Sequence, residues 1–140
     1  MYIIHLSIFV ENKAGRLEAI VDALAKNGIN IRALSIADTT DFGILRVIVD
    51  DCDKAKKVLS DIGVISKSTE VFAVYMDDRA GGLHSFVKLL SDGNVSIEYM
   101  YAFLGREEGK ALMVLKADDE KKAHDILTGA GVEIASPDNM

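Results

Sequence analysis

The sequence predicts an α+β chain of two tandem units, each ordered strand–helix–strand–strand–helix–strand, with an antiparallel sheet carrying its helices on one face. Three observations predict it. The segment Asn12-Lys13-Ala14-Gly15-Arg16-Leu17 returns 66 residues later as Asp78-Arg79-Ala80-Gly81-Gly82-Leu83. At the same offset, Leu17, Ile20, Val21 and Leu24 map onto Leu83, Phe86, Val87 and Leu90, Ile31 onto Ile97, and Gly43 onto Gly109. Farther on, Ala55, Val58, Leu59 and Gly63 match Ala123, Ile126, Leu127 and Gly131 at an offset of 68, so the second copy carries two extra residues between Gly109 and Ala123. An ordered set of matches at a nearly constant offset marks an internal duplication. The domains are expected at 1–69 and 70–140.

The elements follow from periodicity. Residues 3–10 alternate, with Ile4, Leu6, Ile8 and Val10 on one side and Ile3, His5, Ser7 and Phe9 on the other, which predicts a strand. The chain turns through 11–15 at Gly15. Leu17, Ile20, Val21 and Leu24 then form the apolar stripe of a helix ending near Asn27-Gly28. A second strand is predicted over 30–37 and a turn over Asp38-Thr39-Thr40-Asp41. A third strand, rich in β-branched residues, runs from Gly43 to Val49. A helix over 51–61 stops at Gly63, and a strand over 64–70 closes the unit. The second copy predicts a strand at 71–77, a helix at 82–92, strands at 95–104 and 110–116, a helix at 118–129 and a strand at 131–135. Gly105 and Gly109 frame its hairpin loop, with no phosphate-loop pattern. This order is the split βαβ, or ferredoxin-like, unit. The link near 66–70 has no Gly or Pro and does not read as a flexible tether.

Helices cover one sheet face only. The third strand carries Leu45, Val47 and Val49 on one side and Ile44 and Ile48 on the other, and the second strand of copy two carries Tyr99, Tyr101 and Phe103 on one side and Met100 and Leu104 on the other, so the uncovered face is expected to be apolar and to meet another sheet. The expected partner is a second molecule, giving a homodimer.

Charge and composition narrow the function. The chain carries 22 acidic and 16 basic side chains, a net charge of −6. Its short basic runs, Lys54/Lys56/Lys57 and Lys121/Lys122, read as solvated helix faces, so no nucleic-acid partner is expected. The aromatic strand 99–103 suggests base stacking on a sheet of this topology, but no basic-aromatic motif accompanies it. Cys52 is the single cysteine and excludes an intrachain disulfide and a CxxC pair. No basic leader or long apolar run is present, so the expected location is cytoplasmic with no membrane association. No nucleophile–base pair, metal cluster or cofactor motif is recognisable; no enzyme activity and no cofactor are expected.

The loop 12–17, between a strand and a helix, followed by Gly28-Ile29-Asn30-Ile31 at the start of the next strand, resembles the ACT domain family. Members show an Asn-x-Pro-Gly-x-Leu loop and a Gly-x-Asn-Ile strand start. The resemblance spans the chain in two copies. It departs at Ala14, where the family usually has Pro, and further in copy two, where Asp78 and Ser96 stand in place of Asn12 and Asn30. It implies regulatory binding of a free amino acid, usually at an interface between two ACT units. Members are most often attached to metabolic enzymes; this chain is expected to act unattached, as a sensor or as a regulatory subunit resembling those of acetohydroxyacid synthases. The implied ligand-binding residues are Asn12, Ala14, Gly15, Arg16, Leu17, Asn30 and Ile31, with Asp78, Ala80, Gly81, Gly82, Leu83 and Ser96 in the second copy.

Loop physics points the same way. A residue without Cβ allows close approach to the backbone. The helix start behind it presents unpaired N–H groups to an anion such as an α-carboxylate. Asn12 and Asn30 both donate and accept. The competing reading makes Gly15 a turn residue and Asn12 a helix cap. His5 and His124 read as structural, and His84 as a possible neighbour of the second loop. Asp50/Asp51 and Asp118/Asp119 read as caps of the helices they precede.

Overall fold

The computed structural model describes residues 2–38, 41–104 and 109–136. The chain divides into two compact units, Ile4–Glu70 and Val71–Met140 with Met1–Ile3. The first holds β1 (Ile3–Glu11, less its first residue), α1 (Arg16–Lys26), β2 (Ile31–Asp38), β3 (Phe42–Val49) and α2 (Cys52–Asp61). The second holds α3 (Gly82–Asp92), β5 (Ile97–Ala102), β6 (Lys110–Ala117) and α4 (Glu120–Gly129). The strands predicted at 64–70 and 71–77 are one element, β4 (Ser66–Asp77), because no turn residue interrupts the extended backbone.

In the first unit β3 lies between β1 and β2, antiparallel to both, with Ile8 opposite Leu45 and Leu45 opposite Ile36. Phe9 N–H donates to the Ile65 carbonyl and brings the closing segment to the free side of β1. Leu6, Ile8, Leu45 and Val47 meet Ile20, Leu24, Ala55 and Leu59 of the helices in one core. The second unit repeats this with β6 between β4 and β5. Its core joins Phe72, Val74 and Leu115 to Phe86, Leu90 and Leu127. The strand predicted at 131–135 contracts to a bridge between Val74 and Ile134, flanked by Tyr75 N–H to Glu133 O and Ala135 N–H to Ala73 O. The strand predicted at 95–104 shortens to β5 because the groups before it are spent elsewhere. Val95 N–H closes the preceding helix on Leu90 O, and Ser96 N–H donates to Asp118.

The four helices among the described residues end alike. Residues 28, 63, 94 and 131 have φ of 70°, 76°, 59° and 81°, and the next N–H donates to the carbonyl of Leu24, Leu59, Leu90 or Leu127. Asn94 is the single non-glycine among them and tolerates this region better than most side chains.

Two expectations change. The stripe Leu17-Ile20-Val21-Leu24 splits: Ile20 and Leu24 are buried, while Leu17 and Val21 stay about 40% exposed. The helix-free sheet face is mixed rather than apolar. Register places Ser7, Arg46 and Ser35 in one row across it, and puts Lys116 opposite Tyr99. Tyr99 and Tyr101 stack there with ring centroids 6.5 Å apart. The turn at Thr39-Thr40 and the loop residue Gly105 lie outside the described residues.

Candidate functional site

The helix starts fall into two classes. Asp51 and Asp119 cap α2 and α4, their carboxylates accepting from Lys54 N–H and Lys122 N–H at 3.1 Å. Asp50 and Asp118, also expected as caps, instead accept from Asn30 N–H and Ser96 N–H at 3.0 Å. By contrast α1 and α3 begin at Gly15 and Gly81, with φ of 89° and 86° and no capping side chain. The N-cap position of α1 is Gly15 rather than Asn12, whose backbone N–H donates to Asp41 O. The backbone N–H groups of these first turns are what an anion would meet.

The two loops differ in how much room they leave. A side chain added at Gly15 would meet nothing within 4 Å. In the second loop, a Cβ on Gly82 would stand 2.0 Å from Asp77 O, so the start of α3 is pressed onto the end of β4. Arg79 occupies the same loop, its Nε 3.5 Å from Asp77 and its Nη1 3.3 Å from Ala80 O. The first copy places the long side chain of Arg16 at the position of Gly82.

The sequence-predicted residues do not all converge within a unit. Asn12 to Leu17 follow the end of β1, where Glu11 pairs with Phe42 at the start of β3. Asn30 and Ile31 lie beside Val49 at the other end of β3, roughly 23 Å away for seven residues of strand. The same separation divides Asp78, Ala80, Gly81, Gly82 and Leu83 from Ser96. His84 is exposed in the first turn of α3. Cys52 begins α2, but burial pushes its thiol up rather than down, with Lys56 opposing; it is not poised as a nucleophile. His5 is fully buried, its Nε2 3.3 Å from Ser7 Oγ. No group of His, Cys, Asp and Glu able to hold a metal occurs among the described residues.

A cleft not foreseen from the sequence opens beside each loop. The first, about 680 Å³, runs between α1 and residues 62–65 and includes Phe9, Arg16, Phe42, Ile62 and Ile65 in its walls. The second, about 350 Å³, is built by equivalent positions, among them Tyr75, Gly82, Lys110 and Glu133. Lys110 Nζ lies 3.1 Å from Asp77 across its mouth and holds that carboxyl below its ordinary range. Ile65 against Glu133 was legible as a difference between copies, but Phe42 against Lys110 was not: the register sets Gly43 in the place of Ala111 rather than Gly109, so the two extra residues of the second copy precede Lys110.

Residues 1–140 match the family described as an ACT domain pair. The chain belongs to the ACT domain family. Protein BT0572 from Bacteroides thetaiotaomicron is 37% identical, with 99% of this chain and 95% of that one covered and a TM-score of 0.91. The ligand-free regulatory subunit of aspartate kinase from Thermus thermophilus shares the fold at 12% identity, 91% coverage of both chains and a TM-score of 0.64. An acetolactate synthase small subunit from Buchnera aphidicola subsp. Baizongia pistaciae is 34% identical over 58 residues, 41% of this chain and 36% of that protein. ACT domain proteins are regulatory. No helix among the described residues of this ACT pair is long and apolar enough to cross a membrane.

Proposed function

We propose that this ACT pair is a non-catalytic regulator that binds a free amino acid at the β1–α1 loop of its first copy. The observation that carries the reading is the start of α1 at Gly15, an N-cap without a side chain, with open space where a Cβ would stand. The α-carboxylate sits against the first-turn N–H groups at 15 and 17, the Arg16 N–H being donated to Lys13 O, and the helix dipole there favours an anion. Asn12, Ala14, Arg16 and Leu17 frame it. Asn30 and Ile31, at the other end of the sheet, take part only where a second ACT unit brings its own strand end to this loop. The second loop, with Asp78, Ala80, Gly81, Gly82, Leu83 and Ser96, binds more weakly because Arg79 and the Gly82–Asp77 contact fill it. Calorimetric titration with each of the twenty amino acids tests the reading; no heat from any of them refutes it.

A second reading is a regulatory subunit of a larger enzyme of amino-acid metabolism, with ligand binding secondary. The matches to a small subunit of acetolactate synthase and to a regulatory subunit of aspartate kinase support it. Co-elution with the purified catalytic subunit of either enzyme from the same organism supports this reading, and separate elution of both mixtures removes it. In either role the protein is expected to work as a homodimer, since Leu34, Ile36 and Phe42 are each 42–53% exposed. A monomer in sedimentation at tens of micromolar refutes that.

A further inference from the structure

Duplication supplies an internal control for the two clefts, because equivalent positions built both and only their side chains diverged. In the second copy the cleft mouth is polar, closed by the Asp77–Lys110 pair and flanked by Glu133. In the first copy the corresponding positions are Glu11, Phe42 and Ile65. Phe9, Phe42, Ile62 and Ile65 all line this cleft and are 50%, 53%, 47% and 71% exposed, so its lining includes four exposed apolar residues. Singly exposed apolar residues need no explanation, but a cluster around a concave opening does. The cleft volume of about 680 Å³ falls within the range of about 300–1,000 Å³ usual for small-molecule sites.

The charges decide the head group. Of the acids in the wall, Asp22 pairs with Lys26 at 3.0 Å and Glu11 with Lys13 at 3.4 Å. Glu18 also acts on Lys26. Arg16, in the first turn of α1, has no acid partner among the described residues. It stands where the helix dipole adds to its own charge, and its planar fork matches a carboxylate.

We propose that this cleft is a second ligand site, taking a monocarboxylate with an apolar body. Arg16 holds the carboxylate, and the apolar body lies along Ile62 and Ile65. The site shares only Arg16 with the loop and does not rest on amino-acid binding there. The second-copy cleft, with Lys110 already paired and Glu133 at the rim, does not bind the same molecule.

The test uses 4-phenylbutanoate and its uncharged amide as probes, followed by calorimetry and saturation-transfer NMR on the full chain. Wild type is expected to bind the acid about three- to tenfold more tightly than the amide. Ile65→Glu, which copies the second repeat at an exposed position, is expected to weaken both probes at least about tenfold. Arg16→Gln is expected to equalise acid and amide while still binding both. Asn12→Ala, in the loop, leaves acid binding unchanged. Thermal melts confirm that the variants remain folded. Absence of acid binding in wild type, or full binding by Ile65→Glu, overturns the proposal. Loss of acid binding in Asn12→Ala also overturns it, since the acid would then occupy the loop. A chain that binds the acid but no amino acid keeps this site and removes the loop reading; the reverse result does the opposite.

Discussion

Gly15→Asp separates ligand electrostatics from folding at the α1 loop. The backbone there has φ of 89°, and an added Cβ meets no atom within 4 Å. The folding penalty is therefore conformational, about 1–2 kcal/mol for leaving glycine in the left-handed region. Asp and Asn are among the side chains that tolerate it best. Against a typical stability of about 5–15 kcal/mol the unit stays folded. The ligand carboxylate is different. A new carboxylate at about 6 Å, with an effective dielectric constant of about 20–40, opposes it by roughly 1.4–2.8 kcal/mol. That is about 10- to 100-fold in affinity. Gly15→Asn has nearly the same shape and the same backbone demand without the charge, so the gap between the two variants isolates the Coulomb part. Calorimetric affinity beside thermal stability, at low and high salt, reads both quantities. The gap between Asp and Asn should narrow with salt, as expected for an exposed pair. If Gly15→Asp folds and binds the amino acid as tightly as wild type, the carboxylate does not sit at this helix start. If Asn loses as much affinity as Asp, the loss is steric and the electrostatic argument fails.

Three further expectations concern stability. Gly82→Ala drives a Cβ into the backbone oxygen of Asp77 and should cost about 3 kcal/mol or more, whereas Gly81→Ala meets only the end of the Arg79 side chain at 3.9 Å and should cost no more than its left-handed strain of about 1–2 kcal/mol; equal melting temperatures for the two variants refute the close packing. Asp51→Ala and Asp119→Ala each remove a cap and should each cost about 1 kcal/mol, measured by urea unfolding; unchanged unfolding midpoints refute the capping role. Asp77 is held below its ordinary pKa mainly by Lys110, so its contribution is present above about pH 4 and disappears as pH falls through the lowered folded value. Lys110→Met should flatten the acid limb of stability in that window, and an unchanged limb in thermal melts across low pH shows that the pair adds nothing.

The sequence by itself determined the duplication, the order of elements and the ends of the helices. These are local matters. The stop residues Gly28, Gly63 and Gly131 lie where the backbone must turn left-handed, and the leucines that accept their closing hydrogen bonds lie within five residues. The acidic pairs were legible as boundary signals for the same reason, although one carboxylate of each pair turned to Asn30 or Ser96 instead. The loop at Gly15 was legible because a glycine before an apolar helical stripe has few other uses. Tertiary structure decided the rest. Which side of α1 is buried depended on where the sheet lay, and that left Leu17 and Val21 exposed while Ile20 and Leu24 were covered. The mixed face appeared only once register set Arg46 beside Ser7 and Ser35. The separation of Asn12 from Asn30 follows from strand direction, which sequence spacing does not encode. The first-copy cleft brings Phe9, Arg16, Phe42 and Ile65 together from four segments of chain, and no local pattern records such a meeting, because closure of the sheet and packing of the helix create it.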